Sequence, residues 1–414
     1  MIHDILITHI KGLVQVREKP VLNLRGAEMS TLPILENSYL VVSKGLIHSF
    51  GLMKELPADL KAKKVVDATG KFVFPSFIDS HTHLVFAATR EEEFVMKLKG
   101  ATYEQIAASG GGILNSAKKL QALPEEELFQ ASVPRAWEII KSGTGAVEIK
   151  SGYGLTLQDE LKMLRVAQRI GRETPLTVKT TFLGAHAVPR QKTKEQYISE
   201  IIIEMIPAVA GEKLAEYIDV FCETGFFSPE ETEQIVVAGK KVGLIPRLHA
   251  NQLNRSGGVQ IGVKMGAISV DHLENIGEYE IEVLKKSSTM PVALPGSAFF
   301  LNLPYTPARK MIDAGLPMAV ASDYNPGSAP SGNMPLMLSL ACIKMRMTPE
   351  EAINATTINT AYTLGLSKTH GSISIGKIAN LFITQTISSI ASIPYSFGAN
   401  PVSNVILNGK LINL

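Results

Sequence analysis

The chain has 414 residues, of which 45% are apolar, so it is long enough for two or three domains and for a large core. Its net charge is only +2 and no long basic run occurs, so nothing indicates a nucleic-acid partner. Cys222 and Cys342 do not make a disulfide framework. The N-terminal stretch lacks the pattern of a secretory signal, and no run of about 18 apolar residues predicts a membrane span. We therefore expect a cytoplasmic protein that does not enter membranes.

Both ends of the chain have the pattern of short β-strands. Residues 1–68 contain alternating apolar segments with glycine turns, such as DILITHIKGLVQV and SYLVVSKGLIHSFG, and residues 366–414 contain a similar segment, SNVILNGKLINL. We predict that the two ends form one small composite β-sandwich domain. Residues 69–365 would then be a large insertion between them.

The inserted region alternates apolar strands with helical segments. Its eight strand candidates are VFPSFIDSH, GAVEIKS, TVKTTFLGAH, YIDVFCE, LIPRLHA, AISVDHL, MPVALPG and MAVASDY. Helix starts are marked by Ser228-Pro-Glu-Glu231 (with Gly243 at the far end), by Thr348-Pro-Glu-Glu351, and by Thr102 with Gln105. Eight such βα units predict an α/β fold, a (β/α)8 TIM-like barrel, over residues 69–365. An open doubly wound sheet is the alternative.

The first of these strands ends in His81-Thr82-His83. Residues i and i+2 of a strand point to the same face, so the two imidazoles should project together. Histidine is the commonest metal ligand in proteins, and the pair is therefore a candidate half of a metal site. The alternative is a pair of hydrogen-bonded or exposed histidines at a strand end.

Other strands also end in side chains that can bind metals. His186 follows the third strand, His249 the fifth, His272 the sixth, and Asp323 the last. In a barrel these ends meet at one mouth, where such enzymes have their active sites. Two strand-1 histidines, a third histidine and a carboxylate would suit one Zn or Fe ion, which lowers the pKa of a bound water. The pattern predicts metal-assisted hydrolysis, with a neighbouring carboxylate or imidazole moving protons.

The same segments resemble a known family. The histidine pair after an apolar strand, a later His-Ala and a Ser-Asp at the last strand are similar to the amidohydrolase superfamily, a group of metal-dependent barrel hydrolases. Within it, FIDSHTHLVFAATREEEF, GGGI, EIKSGYGL, FLGAHAVP, FCETGFFS and SDYNPGSAPSGN resemble the imidazolonepropionase family over nearly the whole chain. That resemblance implies hydrolysis of 4-imidazolone-5-propanoate to N-formimino-L-glutamate, and a possible homodimer.

The resemblance also implies roles for individual residues. The metal ligands would be His81, His83, His249 and Asp323. The substrate contacts would be Arg90, Tyr153, His186, Gln252, Asn325, Gly327 and Ser328. His272 would be the catalytic imidazole, and Asp323 would also take the water proton and pass it to the departing ring nitrogen.

Some of these substrate contacts also have a simpler interpretation. Arg90 could clamp the propanoate with two hydrogen bonds, or it could be a surface arginine paired with one of the glutamates at 91–93. Tyr153 could donate to the same carboxylate or only line a loop. Residues 325–328 have the composition of a turn, whose N–H groups and hydroxyl could hold a product carboxylate.

Some residues of the chain, and its function, have more than one interpretation. The chain has Asn251-Gln252 where the family often has acidic residues, and because Gln252 cannot be a general base, Asp323 or His272 must move the proton. Lys150, which ends the second strand, could be a lysine that bridges two metal ions, but a structural role or an electrostatic role toward the substrate is favoured because one metal ion is sufficient. Glu223, which ends the fourth strand, has the same alternatives. A hydantoinase or cytosine deaminase type of enzyme on the same scaffold, or a non-catalytic barrel used for assembly, are the alternatives.

Overall fold

The computed structural model describes residues 2–19, 21–101 and 111–413. Five strands precede the barrel: β1 (Ile2–Val14), β2 (Ile34–Ser43), β3 (Leu46–Leu52), β4 (Lys61–Asp67) and β5 (Phe72–Pro75). β1 pairs antiparallel with β2 and parallel with both β4 and β5. The expected capping pair Thr102–Gln105 and the first glycine of GGGI, Gly110, lie outside the described residues.

Eight further strands form one parallel sheet whose order follows the chain. They are β6 (Phe77–Asp79), β7 (Thr144–Lys150), β8 (Thr177–Ala185), β9 (Tyr217–Cys222), β10 (Ile245–Ala250), β11 (Ser269–His272), β12 (Met290–Ala293) and β13 (Ala319–Val320). Nearly all of their residues are buried, as expected for strands covered by helices on the outside. The predicted barrel is confirmed, and the open sheet is wrong.

The barrel closes between its first and last strands. Thr82 and Tyr324 form a parallel bridge, the N–H of Asp323 donates to the carbonyl of His81 at 3.0 Å, and the N–H of His83 donates to the carbonyl of Tyr324 at 2.9 Å. Below them, the buried carboxylate of Asp79 accepts the backbone N–H of Ser322 at 3.0 Å and its hydroxyl at 2.5 Å. This seam brings the strand-1 histidines beside the carboxylate of the last strand.

Most of the α-helices connect or follow the barrel strands, and one lies between strands of the terminal sheet. Those in the described ranges are α1 (Glu91–Leu98), α2 (Ile113–Ala122), α3 (Glu125–Lys141), α4 (Leu157–Glu173), α5 (Lys194–Glu200), α6 (Ile206–Gly211), α7 (Pro229–Lys241), α8 (Gly258–Met265), α9 (Glu278–Lys285), α10 (Pro295–Leu301), α11 (Ala308–Asp313), α12 (Met334–Met345), α13 (Pro349–Ala355), α14 (Ile358–Thr363) and α15 (Ser392–Tyr395). Within the described residues, none of the helices is long and apolar enough to cross a membrane.

Two of the predicted helix starts are confirmed. Ser228 and Thr348 both form capping boxes with the glutamate three residues later. The segment after Thr348 is divided into two helices, α13 and α14. The break falls at Thr356 and Thr357, whose hydroxyls donate back to carbonyls of α13. Such bonds compete with the helical pattern of the backbone.

The C-terminal strands complete the terminal sheet. They are β14 (Leu381–Thr384), β15 (Val402–Leu407) and β16 (Lys410–Ile412), and the sheet has the order β16-β15-β14-β5-β1-β2-β3, with β4 beside β1. The composite β-domain built from both termini is confirmed, whereas its boundaries at residues 68 and 366 stay predictions.

The segment VFPSFIDSH, expected as one strand, is divided between the two sheets. The N–H of Ser76 donates to Asn380 in the terminal domain at 2.8 Å, whereas the next N–H, that of Phe77, donates to Gly143 beside the barrel at 3.0 Å. Two adjacent backbone groups therefore tie the domains together directly below the histidine pair.

Removing the Asp79 carboxylate should destabilise the protein. Asp79→Ala leaves two buried donors of Ser322 without an acceptor, which typically costs about 1–3 kcal/mol per group. We expect a clear fall in the midpoint of thermal unfolding. Asp67→Ala, at an exposed aspartate of β4, should change stability by no more than about 0.5 kcal/mol. An equal midpoint for the two variants would show that Asp79 does not hold the seam.

Candidate active site

Four ligand-type atoms converge at the mouth of the barrel. The Nε2 atom of His249 lies 3.1 Å from Nε2 of His81 and 3.4 Å from Nε2 of His83. The Oδ1 atom of Asp323 lies 3.6 Å from the Nε2 atoms of both His81 and His83. All four side chains are almost completely buried. Three imidazole nitrogens and one carboxylate oxygen at this spacing can share one metal ion.

The surroundings of the histidines fit a metal centre. Nδ1 of His81 lies 2.7 Å from Asp271, and Nδ1 of His249 lies 2.9 Å from Asp219. Carboxylates in this position hold the tautomer that leaves Nε2 free to bind a metal. Burial lowers the pKa of His81 and His83 well below the usual value, which favours the neutral imidazole that a metal requires.

His272 lies beside this cluster and has a different electrostatic environment. Its ring centroid is 5.6 Å from that of His81 and 5.2 Å from that of His249. Burial opposes a positive charge on His272, but the charge and hydrogen bond of Glu274, together with the charge of Asp323, raise the pKa of its imidazole. His272, His81 and Asp323 also form a second set of atoms close enough to share an ion.

Two of these residues have a strained backbone. His272 has φ 89° and Asp323 has φ 58°, in the left-handed region that side chains other than glycine rarely adopt. The hydroxyl of Thr306 holds the carbonyl of His272 at 2.6 Å, and the amide of Asn325 holds the carbonyl of Asp323 at 2.6 Å. Strain of this kind is retained where the chain must aim a side chain, and here both side chains face the cavity.

A cavity of about 390 Å³ lies above the cluster. The residues proposed from the sequence that line it are His83, Arg90, Tyr153, His186, His249, Gln252, His272, Asp323, Asn325, Gly327 and Ser328, while His81 is buried beneath it. The structure therefore brings together every candidate site residue. It adds Lys97, Ile113, Phe221, Phe226, Leu253 and Leu301 to the wall.

Aromatic rings stack along one side of the cavity. The ring of His186 is stacked on that of His83, with centroids 5.2 Å apart, and Tyr153 lies 5.4 Å from His186. Nδ1 of His186 donates to the carbonyl of Gly152 at 3.0 Å, and burial lowers the pKa of His186 to about 3, so its other nitrogen is an acceptor. Gly152 has φ 109°, and a Cβ at this position would lie 2.9 Å from Nδ1 of His186.

Arg90 combines both interpretations that its sequence context allows. It donates twice to Glu93, at 2.9 and 2.5 Å, and it also lines the cavity. Its guanidinium packs against Gly327, where an added Cβ would lie 2.0 Å from Nη1. Arg90 is thus held by a glutamate in the first turn of α1, the helix that it precedes, while its charge borders the cavity.

The segment 325–328 is a turn built around one side chain. Oδ1 of Asn325 accepts the N–H groups of Gly327 and Ser328, each at 2.8 Å. These N–H groups were expected to be available to a product carboxylate, but here Asn325 uses both. The hydroxyl of Ser328 points to Asp323 at 3.3 Å.

Several functional candidates were missed because they lie within strands or outside any motif. Asp219, Asp271 and Arg247 are charged residues inside barrel strands that are otherwise largely apolar. A charged residue in such a strand was the available signal. Lys150 pairs with Glu148 at 2.8 Å and with Asp219 at 2.9 Å. Glu223 accepts backbone N–H groups of the loop after β10, which indicates a structural role.

Comparison with known proteins agrees with this geometry. Residues 72–412 match the amidohydrolase family. An imidazolonepropionase from Flavobacterium johnsoniae is 55% identical over 409 residues, which cover 98% of this chain and 99% of that protein. An imidazolonepropionase from Brevibacillus brevis is 40% identical and covers 94% of this chain and 92% of its own.

The chain belongs to the amidohydrolase family. Within the amidohydrolases it falls among the imidazolonepropionases, since the match extends over nearly the full length of both chains. Solved amidohydrolase-fold structures include an adenosine deaminase from Xanthomonas campestris with bound zinc (TM-score 0.73, 16% identity, 100% of this chain and 95% of that chain). Guanine deaminase from E. coli has a TM-score of 0.74 at 13% identity, covering 99% of this chain and 98% of that one. At these identities the likeness shows the fold alone.

Removing one ligand should test the amidohydrolase metal centre directly. His83→Ala deletes one of the three imidazoles, and we expect the purified variant to lose its bound metal and its activity together. Elemental analysis of the protein gives the metal content. His48→Ala, at an exposed histidine of β3, should keep the metal. Full metal occupancy in His83→Ala would contradict the ligand assignment.

Proposed function

We propose that this protein hydrolyses the cyclic amide bond of 4-imidazolone-5-propanoate to give N-formimino-L-glutamate, a step of histidine degradation. The observation that carries the proposal is one cavity that is bordered both by the ligand histidines and by Arg90. The first group suits activation of water, and the second suits a substrate with a carboxylate. The full-length relatives named imidazolonepropionase support this choice of substrate.

We further propose that His81, His83, His249 and Asp323 hold one Zn or Fe ion. Imidazole and carboxylate ligands suit both metals, and the buried carboxylates behind His81 and His249 support either. When bound, such an ion polarises the ring carbonyl and makes a nucleophile available from water near neutral pH.

The residues of the chain then have separate tasks in moving protons. Oδ1 of Asp323 lies among the ligand nitrogens, while its other oxygen, Oδ2, lies 3.3 Å from the hydroxyl of Ser328, so one oxygen can bind the metal and the other can take and return a proton. We assign to Asp323 the transfer of the water proton to the ring nitrogen as the C–N bond breaks. His272, whose pKa Glu274 raises, is placed to stabilise the negative charge that develops on the carbonyl oxygen.

The remaining wall of the cavity would hold the substrate. Arg90 would bind the propanoate, with Tyr153 as a further donor. His186, neutral and with one nitrogen free, can accept a hydrogen bond from a ring N–H. The amide of Gln252 and the hydroxyl of Ser328 would supply further polar contacts. Asn325, whose amide already makes four hydrogen bonds within its turn, would border the substrate, and Gly327 leaves room for the guanidinium of Arg90.

An alternative activity on the same scaffold would be that of a hydantoinase or a cytosine deaminase. Those substrates lack the propanoate, so they would leave Arg90 without a partner in the cavity. Turnover of imidazolone propanoate, a hydantoin and cytosine, compared at equal enzyme concentration, separates the three. A non-catalytic barrel would have no need of a buried cluster of histidines and a carboxylate that could hold a metal ion.

We also propose a cytoplasmic location and a homodimer. A cytoplasmic location rests on the two free cysteines, Cys222 and Cys342, since a reducing compartment keeps thiols unpaired. A homodimer rests on the family resemblance, and light scattering of the purified protein tests it.

The proposed roles predict unequal effects of three substitutions. Asp323→Asn should lower kcat about 10²–10⁴-fold, the range typical of a positioned acid or base. His272→Ala should lower kcat about 10²–10³-fold, the range typical of losing one group that stabilises the developing charge. Gln252→Glu should change the pH profile without abolishing activity, because the amide moves no proton. Steady-state kinetics from pH 5 to 9 give all three results. Near-normal turnover by His272→Ala would remove that residue from the mechanism.

Arg90 tests the class of substrate. A charge-assisted hydrogen bond contributes roughly 1.5–3 kcal/mol, so Arg90→Ala should raise KM for imidazolone propanoate about ten- to a hundredfold while the metal content stays normal. Arg90→Lys should recover only part of the loss, because it keeps the charge but loses the paired donors. Lys99→Ala, at an exposed cation just beyond the opposite end of α1, should leave KM unchanged.

Two controls distinguish binding from a structural effect of Arg90. Its removal leaves the carboxylate of Glu93, which is 6% exposed, without its partner, so Arg90→Ala/Glu93→Gln is needed beside the single variant. An imidazolone without the propanoate should be a poor substrate for the wild type and hardly poorer for Arg90→Ala. Equal losses on both substrates would mean that Arg90 serves the loop and that the carboxylate is held elsewhere.

A further inference from the structure

A group of charged side chains lies inside the barrel below the candidate metal ligands. Its members are Glu148, Lys150, Asp219, Arg247 and Asp271, and each is at most 1% exposed. Burying a charge costs several kcal/mol unless it is paired and hydrogen-bonded. Apolar residues of similar size would fill a core equally well, so the buried charges indicate a role other than packing.

Arg247 connects to His81 through one carboxylate oxygen. Its Nη2 atom donates to Oδ2 of Asp271 at 3.2 Å, and the same oxygen lies 2.7 Å from Nδ1 of His81. Nη2 also donates to the carbonyl of Ser80 at 2.6 Å. The guanidinium therefore holds both the carboxylate that orients the His81 ring and the backbone residue that precedes it.

Lys150 makes the equivalent connection to His249. Its Nζ atom lies 2.9 Å from Oδ2 of Asp219, and that oxygen lies 2.9 Å from Nδ1 of His249. Nζ also donates to Glu148 at 2.8 Å. The two connections have the same order, cation to carboxylate to imidazole, and they reach two of the three histidines from below.

Glu148 extends the arrangement to the residue between the paired histidines. Its Oε2 atom accepts the N–H of Thr82 at 3.3 Å, and its backbone carbonyl accepts the hydroxyl of Thr82 at 2.7 Å. By contrast, Nδ1 of His83 is buried and has no hydrogen-bond partner in the described residues. His81 and His249 are therefore braced from behind, and His83 is not.

We propose that Lys150 and Arg247 are positioning residues for the metal centre. Each fixes and neutralises the carboxylate that orients one ligand imidazole, Asp219 for His249 and Asp271 for His81. The same contacts explain the place of Lys150 at the end of β7: its amine is used by two carboxylates, so it is not free to bind or bridge metal ions. This inference rests on the ligand set given under the proposed function.

The test is the affinity of the full-length protein for Zn²⁺, measured by competition with a chelator. Loss of a partner behind a ligand typically weakens metal binding 10–100-fold. We expect Lys150→Met and Arg247→Met each to weaken Zn²⁺ binding by about tenfold or more, and to alter the visible absorption spectrum of the Co²⁺-substituted protein. Arg247→Lys should restore part of the affinity.

A buried lysine elsewhere supplies the matched control. Lys377 is 3% exposed and donates to the carbonyl of His370 and the hydroxyl of Ser372, with no connection to a ligand histidine. Lys377→Met removes a buried cation without touching this arrangement. It should leave the Zn²⁺ affinity and the Co²⁺ spectrum as in the wild type, whatever it does to thermal stability.

A double-mutant cycle shows whether Lys150 acts through Asp219. If it does, adding Lys150→Met to Asp219→Asn should weaken Zn²⁺ binding much less than Lys150→Met does alone, because coupled residues are not additive. Independent, additive losses would overturn the proposal for Lys150. Where a Met variant does not fold, Lys150→Gln and Arg247→Lys are measured in the same way.

The outcomes for this inference and for the proposed function are separable. Wild-type Zn²⁺ affinity and Co²⁺ spectra in folded Lys150 and Arg247 variants would overturn the positioning roles and leave the ligand set intact. A wild-type protein that binds no metal ion would contradict the ligand set itself. Normal metal binding without turnover of imidazolone propanoate would concern only the proposed substrate.

Discussion

The hydrogen bonds that close the barrel place the two halves of the site together. Asp79, on the first strand, accepts both donors of Ser322 on the loop after the last strand, and no water reaches either residue. Two and four residues after Asp79, His81 and His83 lie beside Asp323. The carboxylate of the ligand cluster and its histidine pair belong to strands more than two hundred residues apart in sequence, so the closed barrel is a condition of the chemistry.

The backbone at this mouth is held in conformations that packing alone would not select. His272 and Asp323 both have positive φ values, and each has its carbonyl held by a side chain, that of Thr306 after α10 for His272 and that of the nearby Asn325 for Asp323. The cost of such residues, of order 1–3 kcal/mol each, is offset by the closed barrel around them. As a result, the side chains of the last residue of β11 and of Asp323, which follows β13, have fixed directions at the mouth of the barrel.

The sequence predicts the mouth of the barrel better than its interior. His81, His249 and Asp323 could be placed together because the ends of parallel strands converge, a consequence of topology alone. Asp219 and Asp271 could not be placed in the site. The sequence does not show whether a charged side chain within a strand points into the barrel or toward its outer surface. The division of VFPSFIDSH between two sheets was also hidden, because it depends on which distant carbonyl accepts each N–H.

The turn at 325–328 shows the limit of inference from motifs. Its composition correctly indicates a turn, and its position after Asp323 correctly places it at the cavity. Whether its N–H groups face a ligand or the side chain of Asn325 is decided by rotamers that the composition does not contain. The sequence therefore predicts the position of this turn at the cavity but not the hydrogen-bond partners of its N–H groups.

Different parts of the chain carry the two requirements of the proposed reaction. The ligands and the charges behind them lie mainly on or directly beside barrel strands, whose positions are fixed by the sheet and by burial. The groups that would recognise the propanoate, Arg90 above all, lie on the connecting segments outside it. Loops can vary without disturbing the sheet. A change of substrate would thus need only new side chains around the mouth, whereas the charged interior has to be kept whenever a metal is held by this set of histidines.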